Sequence, residues 1–166
     1  MTAITERARG IRLLVLDVDG VLTDGRLYIP AQGDELKCFH VRDGHGLKSL
    51  QRSGCRVAVI SGRRSEAVVR RMRELGIESL HQGIDDKLSV FESLLQQFDV
   101  EASAVACVGD DTVDVPILER AGFAIAVADA HDDARAVAHY ITRARGGRGA
   151  VREVCDLLLA AHGAPS

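Results

Sequence analysis

Four apolar runs of strand length punctuate the chain. Leu13-Leu14-Val15-Leu16 ends at Asp17, Cys55 to Ile60 ends at Ser61, Ala104 to Val108 ends at Gly109, and Ala124 to Val127 completes the set. Runs without polar alternation predict strands buried on both faces. Helical stripes lie between them. Val68, Met72 and Leu75 recur at i, i+4 and i+7 ahead of Gly76, a residue suited to close a helix, and Leu88, Phe91, Leu95 and Phe98 draw a second stripe. Alternating strands and helices, with crossovers long enough for one helix each, predict an α/β fold with a doubly wound, Rossmann-like parallel sheet and helices on both faces. After the first strand, Arg26 to Ile29, a Pro30–Asp34 turn and Leu36 to Val41 predict an inserted β-hairpin, with Gly33-Asp34 as its turn signal. A short helix from about Gly46 to Ser53 follows, and Val151, Val154, Leu157 and Leu158 mark a closing helix.

Composition narrows the class. A chain of 166 residues, 46% hydrophobic and 27% charged, predicts one globular domain over residues 1–166. No apolar run approaches the roughly 18 residues a spanning helix needs. The N-terminal MTAITERARG carries Glu6, Arg7 and Arg9 where a signal peptide's apolar stretch would sit, so the cytoplasm is the predicted compartment. With 21 basic and 24 acidic residues the net charge is −3, which offers no global field for nucleic acid or an anionic membrane. Local basic stretches, Arg63 to Arg73 and Arg143 to Arg152, keep small anions in view. The four cysteines are far apart without a CxxC and read as structural thiols.

In a doubly wound sheet, ligands bind outside the carboxyl ends of the strands, and there the polar residues gather: Asp17 and Asp19, Ser61-Gly62, and Asp110-Asp111. Two carboxylates at one strand end repel each other, and a divalent cation relieves this; an oxygen-only ligand set selects Mg²⁺. Asp110 supplies a further carboxylate. Taken alone, Asp17 and Asp19 also read as a turn with a helix cap, Ser61-Gly62 as a turn, and Lys87 as a solvated helix start. The hydroxyl of Ser61 and the amide after it suit phosphate oxygens at a helix N-terminus.

DVDGVLTDG, ISGR at Ile60 to Arg63, Lys87 and GDDTVD at Gly109 to Asp114 resemble, in order, the four motifs of the haloacid dehalogenase superfamily phosphatases. FHVRDGHGL (Phe39 to Leu47), QGIDDKL (Gln82 to Leu88), VADAH (Val127 to His131) and GGRGAVREVCDLLL (Gly146 to Leu159) resemble more narrowly the 3-deoxy-D-manno-octulosonate 8-phosphate (KDO 8-phosphate) phosphatases. The resemblance implies Asp17 as nucleophile through an aspartyl-phosphate, and Asp19 as acid and then base. It also implies Mg²⁺ held by Asp17, Asp110 and the Asp19 carbonyl, and phosphate held by Ser61, Gly62 and Lys87. Asp111 binds the metal through water or orients Lys87, and Asp114 stands behind them. Substrate contacts carry over to Asp19, Lys87, His40, Val41, Arg42, Asp43, Gly44, Lys48, Arg63 and Arg71. Arginine suits a sugar acid because guanidinium grips carboxylate bidentately; Arg70 stands near the same rim. The pathway implied is lipopolysaccharide core biosynthesis.

Only 43 residues separate Asp17 from Ser61 and 22 separate Lys87 from Asp110, so no cap domain fits. A bare site needs walls from elsewhere, and the resemblance implies a homotetramer in which the apolar hairpins assemble and cover adjacent sites. Arg148, among glycines, is a lid candidate. His40, His45 and Lys48 depart from the family pattern, and His45 and His81 lack the spacing of metal ligands. Rival readings are a phosphatase for a sialic-acid-type (nonulosonate) 9-phosphate, which Arg63 disfavours, and a catalytically silent oligomerisation module, which the retained Asp17, Asp19, Lys87 and Asp110 disfavour. A phospho-accepting receiver domain places its acidic groups in another order.

Overall fold

The structure is a computed structural model and describes residues 3–163. Met1 and Thr2, the start of the segment read above for its charge, lie outside that range.

After a first helix, α1 (Ala3–Arg9), strand β1 (Leu13–Leu16) enters the core, with all four residues buried. Then come α2 (Val41–Arg52), β2 (Arg56–Ser61), α3 (Glu66–Leu75), β3 (Ser79–Gln82), α4 (Lys87–Phe98) and β4 (Val105–Gly109). The chain closes with α5 (Val115–Arg120), β5 (Phe123–Ala126), α6 (Asp132–Val137), β6 (Tyr140–Ile141) and α7 (Ala150–Ala161). The six strands form one open parallel sheet in the order β3-β2-β1-β4-β5-β6. The chain therefore winds outward from β1 to one edge, returns to lay β4 against β1, and winds outward again. That reversal makes the carboxyl ends of β1 and β4 the switch point where such sheets hold ligands.

The apolar runs are the central strands: β1, β4 and β5 are wholly buried, and β2 is buried from Val57 onward. Helix α3 ends on Gly76 at φ 70°, the left-handed conformation a closing glycine supplies. On α4 the buried face is Lys87, Phe91 and Leu94, while Leu88 is exposed and Leu95 and Phe98 are only partly covered. The predicted stripe is thus rotated, because the helix phase is set by its first residue, whose amine points into the sheet.

The inserted hairpin is rudimentary. A single antiparallel bridge joins Tyr28 to Leu36, with the Leu36 amide donating to the Tyr28 carbonyl at 3.0 Å, around a turn in which Gly33 has φ 88°. Its second predicted strand fails before Val41, where α2 begins. The helix thus starts five residues earlier than expected, with Nδ1 of His40 accepting from the Arg42 amide at 3.2 Å as its cap. Gly44 and Gly46 are helical residues selected for close approach: a Cβ on Gly46 would sit 2.9 Å from the Arg152 side chain and 3.1 Å from Cys155 Cβ on α7. Cys55, Cys107 and Cys155 are buried, and burial pushes their thiols up, Cys55 to about 12; Cys38 is exposed on the arm that the rudimentary hairpin forms, residues 26–40. Among the described residues, no helix is long and apolar enough to cross a membrane.

Candidate active site

Register builds the site. Leu16 lies level with Val59 of β2 and Val108 of β4, so the next residues on each strand, with Ser61 and Asp110 one step further, converge on Asp17. They line an open cavity of about 190 Å³ that also takes in Asp19, Gly62, Arg63, Lys87, Asp111 and Val113.

Lys87 is the electrostatic centre. Its Nζ donates to Asp17 Oδ1 at 2.8 Å and to Asp114 Oδ1 at 2.6 Å, with all three residues buried. Burial works against the ammonium, but the two carboxylates more than offset it and hold the Lys87 pKa above its ordinary value. Asp114 is fully engaged: its other oxygen accepts from the Asp110 amide at 3.0 Å and the Asp111 amide at 3.3 Å. Asp114, rather than Asp111, therefore orients Lys87. Asp111 caps the short 3₁₀ turn Thr112–Asp114, accepting from the Thr112 amide at 2.7 Å.

Asp17, Asp110 and Asp114 bring carboxylate oxygens within 4.8 Å of one another. Because Asp114 is occupied by Lys87 and two amides, Asp17 and Asp110 are the pair free to take a cation. Burial, then the charges of neighbouring carboxylates, push Asp110 up to about 8; burial and Asp114 push Asp17 up to about 6. One ammonium, Lys87, faces three carboxylates here, and an oxygen-ligated divalent cation is suited to balance the remaining charge.

Backbone packing holds the loop that follows Asp17. Gly20, at φ 88°, presses so close to Asp110 that a Cβ there would overlap its carboxylate. Thr23 Oγ1 accepts from the Gly20 and Gly25 amides at 3.3 and 3.2 Å. Gly146 and Gly147 lie against the Gly20–Asp24 backbone, with the Gly147 amide donating to the Val21 carbonyl at 2.9 Å. Behind them Glu153 accepts from the Arg143 and Ala144 amides, each at 3.0 Å, and from the Tyr140 hydroxyl at 2.7 Å. The glycine-rich block thus braces the loop. Arg148, read above as a lid, is exposed and ion-paired with Asp24 at 3.3 Å.

Ser61 is not at a helix N-terminus. It is the last residue of β2, and α3 begins only at Glu66, after the N-cap residue Ser65, whose amide donates to Gln82 Oε1 at 2.9 Å. The Ser61 hydroxyl accepts from the Arg63 amide at 3.4 Å in a tight loop instead.

Two further residues join the site from the arm. Lys37 is ion-paired with Asp19 and, at 3.0 Å, with Glu35; Glu35 in turn accepts from Arg63 Nη2 at 2.6 Å. Arg63 Nε also lies 3.8 Å from Asp19. Hydrogen bonding from Lys37, supported by Arg63, holds the Glu35 carboxyl below its ordinary value. Reading the arm as a hairpin hid both residues, since a strand alternation carries no sign of which polar side chain turns inward; the GDELK spacing was the only trace.

The predicted substrate set divides. Arg63 lines the cavity, and Arg71 and Arg70 line an adjoining groove of about 290 Å³ between α3 and the arm. Val41, Arg42 and Lys48 are exposed on α2, outside this cavity. Asp43 is buried away from it, accepting from the Arg152 amide at 2.8 Å near the start of α7, and Gly44 packs against Arg71. His45 is exposed, and His81 contacts Ser79 at 3.2 Å; neither joins the acidic group.

A strand-end aspartate facing a buried lysine and an acidic loop across the switch point defines a class of hydrolase, and a family profile described as haloacid dehalogenase-like hydrolase matches residues 80–153. The 3-deoxy-D-manno-octulosonate 8-phosphate phosphatase of Escherichia coli K12 is 50% identical over 96% of this chain and 85% of its own length. The chain belongs to the 3-deoxy-D-manno-octulosonate 8-phosphate phosphatase family. Among solved structures, the Yersinia pestis phosphatase superposes with a TM-score of 0.95 at 49% identity, covering 96% of this chain and 86% of that one. The Moraxella catarrhalis phosphatase, in complex with a magnesium ion, a phosphate ion and KDO, superposes with a TM-score of 0.96 at 45% identity, covering 98% and 94%.

Proposed function

We propose that the chain is a single-domain, Mg²⁺-dependent phosphomonoesterase that hydrolyses KDO 8-phosphate to KDO and phosphate. The observation that carries this reading is the charge-paired Lys87 between Asp17 and Asp114, with Asp110 bringing its carboxylate to the same cluster, where a metal ion could be held. The relative solved with magnesium, phosphate and KDO supports the substrate class.

Asp17 is the nucleophile: a carboxylate oxygen attacks phosphorus in line, and the bond from phosphorus to the sugar oxygen breaks. Lys87 keeps Asp17 ionised and aimed. Ser61, the Gly62 amide and Lys87 receive the phosphoryl oxygens, where fixed donors stabilise charge without reorganisation. Asp19 gives its proton to the leaving sugar oxygen. It then takes one from the water that attacks the aspartyl-phosphate, which restores Asp17. Asp17, Asp110 and the Asp19 carbonyl would hold Mg²⁺, which when bound neutralises the carboxylates and the transferring phosphoryl group. Arg63 and Arg71 are the groups for the sugar acid's carboxylate.

The exposed apolar side chains of the arm, Leu27, Tyr28, Ile29 and Leu36, and Val41 beside it support self-association into a homotetramer. In it, His40, Val41, Arg42 and Lys48 would serve a neighbouring subunit's site. A monomer by size-exclusion with light scattering would end that part of the reading. The enzyme would act in the cytoplasm, in lipopolysaccharide core synthesis. The deciding test is phosphate release from KDO 8-phosphate, a nonulosonate 9-phosphate and simple sugar phosphates, with and without Mg²⁺. Preference for KDO 8-phosphate is expected. Preference for the nine-carbon substrate would overturn the role given to Arg63, and no release from any of them by folded protein would leave a silent oligomerisation module.

A further inference from the structure

Asp19 has a partner that the proposed chemistry leaves unused. Lys37 lies on the arm, its side chain 2% exposed, and its ammonium contacts the Asp19 carboxylate and, at 3.0 Å, that of Glu35. Lys37 is absent from the walls of the catalytic cavity and lines the adjoining groove instead. It therefore stands behind Asp19 rather than facing the phosphate. Arg63 approaches the other Asp19 oxygen at 3.8 Å and ties itself to Glu35 at 2.6 Å, so two cations and two carboxylates close a ring.

A short Asp side chain with two rotatable bonds presents an oxygen to a leaving group only if something fixes its rotamer. Among the described residues, no backbone amide donates to the Asp19 carboxylate; its partners are Lys37 and Arg63. Arg63 is half exposed and is the side chain assigned to the substrate's carboxylate, so it cannot hold Asp19 throughout turnover. We propose that Lys37 is the positioning residue of Asp19: it holds that carboxylate at the mouth of the cavity for proton transfer, with Glu35 as the second anchor that keeps Lys37 in place. This rests on the role given to Asp19 above. It also couples proton transfer to the seating of the arm, because among the described residues the Tyr28–Leu36 bridge is the arm's only β-pairing.

The test compares wild type, Lys37→Met, Lys37→Arg, Asp19→Asn and the Lys37→Met/Asp19→Asn double variant on two substrates under saturating Mg²⁺. KDO 8-phosphate has a poor alkoxide leaving group that needs a proton; p-nitrophenyl phosphate has a good one that does not. Lys37→Met should lower kcat on KDO 8-phosphate at least tenfold with KM within twofold, and lower p-nitrophenyl phosphate turnover less than threefold. Lys37→Arg should recover part of the loss, and the double variant should be no slower than Asp19→Asn alone, the non-additivity of residues acting as a unit. Equal losses on both substrates, additive losses in the double variant, or a raised KM with unchanged kcat would overturn the positioning role. Wild type inactive on both substrates would instead remove the phosphatase reading itself. Thermal melts of each variant separate these losses from failure to fold.

Discussion

Lys87 and Lys37 are near twins in local chemistry: each is a buried ammonium bridging two carboxylates, one of them within the same Asp17-Val18-Asp19 segment. They differ in what supports them. Lys87 opens α4, and its partners hang from β1 and from a turn whose amides grip Asp114. Lys37 sits on an arm with one backbone bridge and exposed apolar side chains. The first pair of contacts is built into the fold; the second exists only while the arm is seated. Under the roles proposed above, charge stabilisation depends on the scaffold and proton transfer on the arm, and the two should respond differently to mutation.

The largest effect tests the scaffold side. Asp17→Asn should lower phosphate release on the order of 10⁴-fold or more while leaving the fold intact, as loss of a nucleophile does; residual turnover within tenfold of wild type would place the nucleophile elsewhere. Next, Lys87→Met should cost about 3–5 kcal/mol in urea unfolding, because it strands two buried carboxylates. A cost under about 1 kcal/mol would erase the contrast with Lys37.

The acidic cluster gives a third expectation. Asp110 and Asp17 are raised to about 8 and about 6 from an ordinary 3.8, so without metal the folded state binds their protons more tightly than the unfolded chain. That contribution is present at low pH and lost as pH rises through those values. Melting temperature in EDTA should therefore fall between about pH 4 and pH 8, and saturating Mg²⁺ should abolish the fall. A flat profile in EDTA would mean that the cluster is already neutralised.

Two smaller effects sharpen the arm side. Lys37→Met should cost about 1 kcal/mol or less, since Arg63 remains to neutralise Asp19 and Glu35 from the surface. Arg148→Ala should shift stability by under about 0.5 kcal/mol, its pair with Asp24 being exposed. A larger loss in either, by the same urea titration, would mean that the loop or arm carries more of the fold than its contacts indicate.

Much of this was legible in the residues. Unbroken apolar runs announced a sheet buried on both faces, and their polar endings announced the switch-point site, because both follow from local composition. Where the reading failed, a long-range contact had overruled a local signal. The helix expected from about Gly46 begins at Val41, so Gly44 and Gly46 lie inside it, Gly46 where α7 packs too close for a side chain. The α4 stripe was rotated because Lys87 is drawn inward by Asp17 and Asp114, 70 and 27 positions away in the chain. Asp43, placed with the substrate contacts by resemblance, is turned toward α7.

Taken alone, the sequence determined the parallel α/β architecture and the gathering of Asp17, Asp19, Ser61 and Asp110 at the strand ends, since strand burial and strand-end chemistry are written in consecutive residues; the family, and Lys87 with it, came from the resemblance of the motifs. Tertiary structure alone decided that Asp114 holds Lys87, that Lys37 and Glu35 enter the site from the arm, and that the glycine-rich block braces the loop that follows Asp17. Each of these depends on charges or backbones meeting across many tens of residues or across a turn, and pairwise electrostatics and close packing act through space without leaving a periodic trace along the chain.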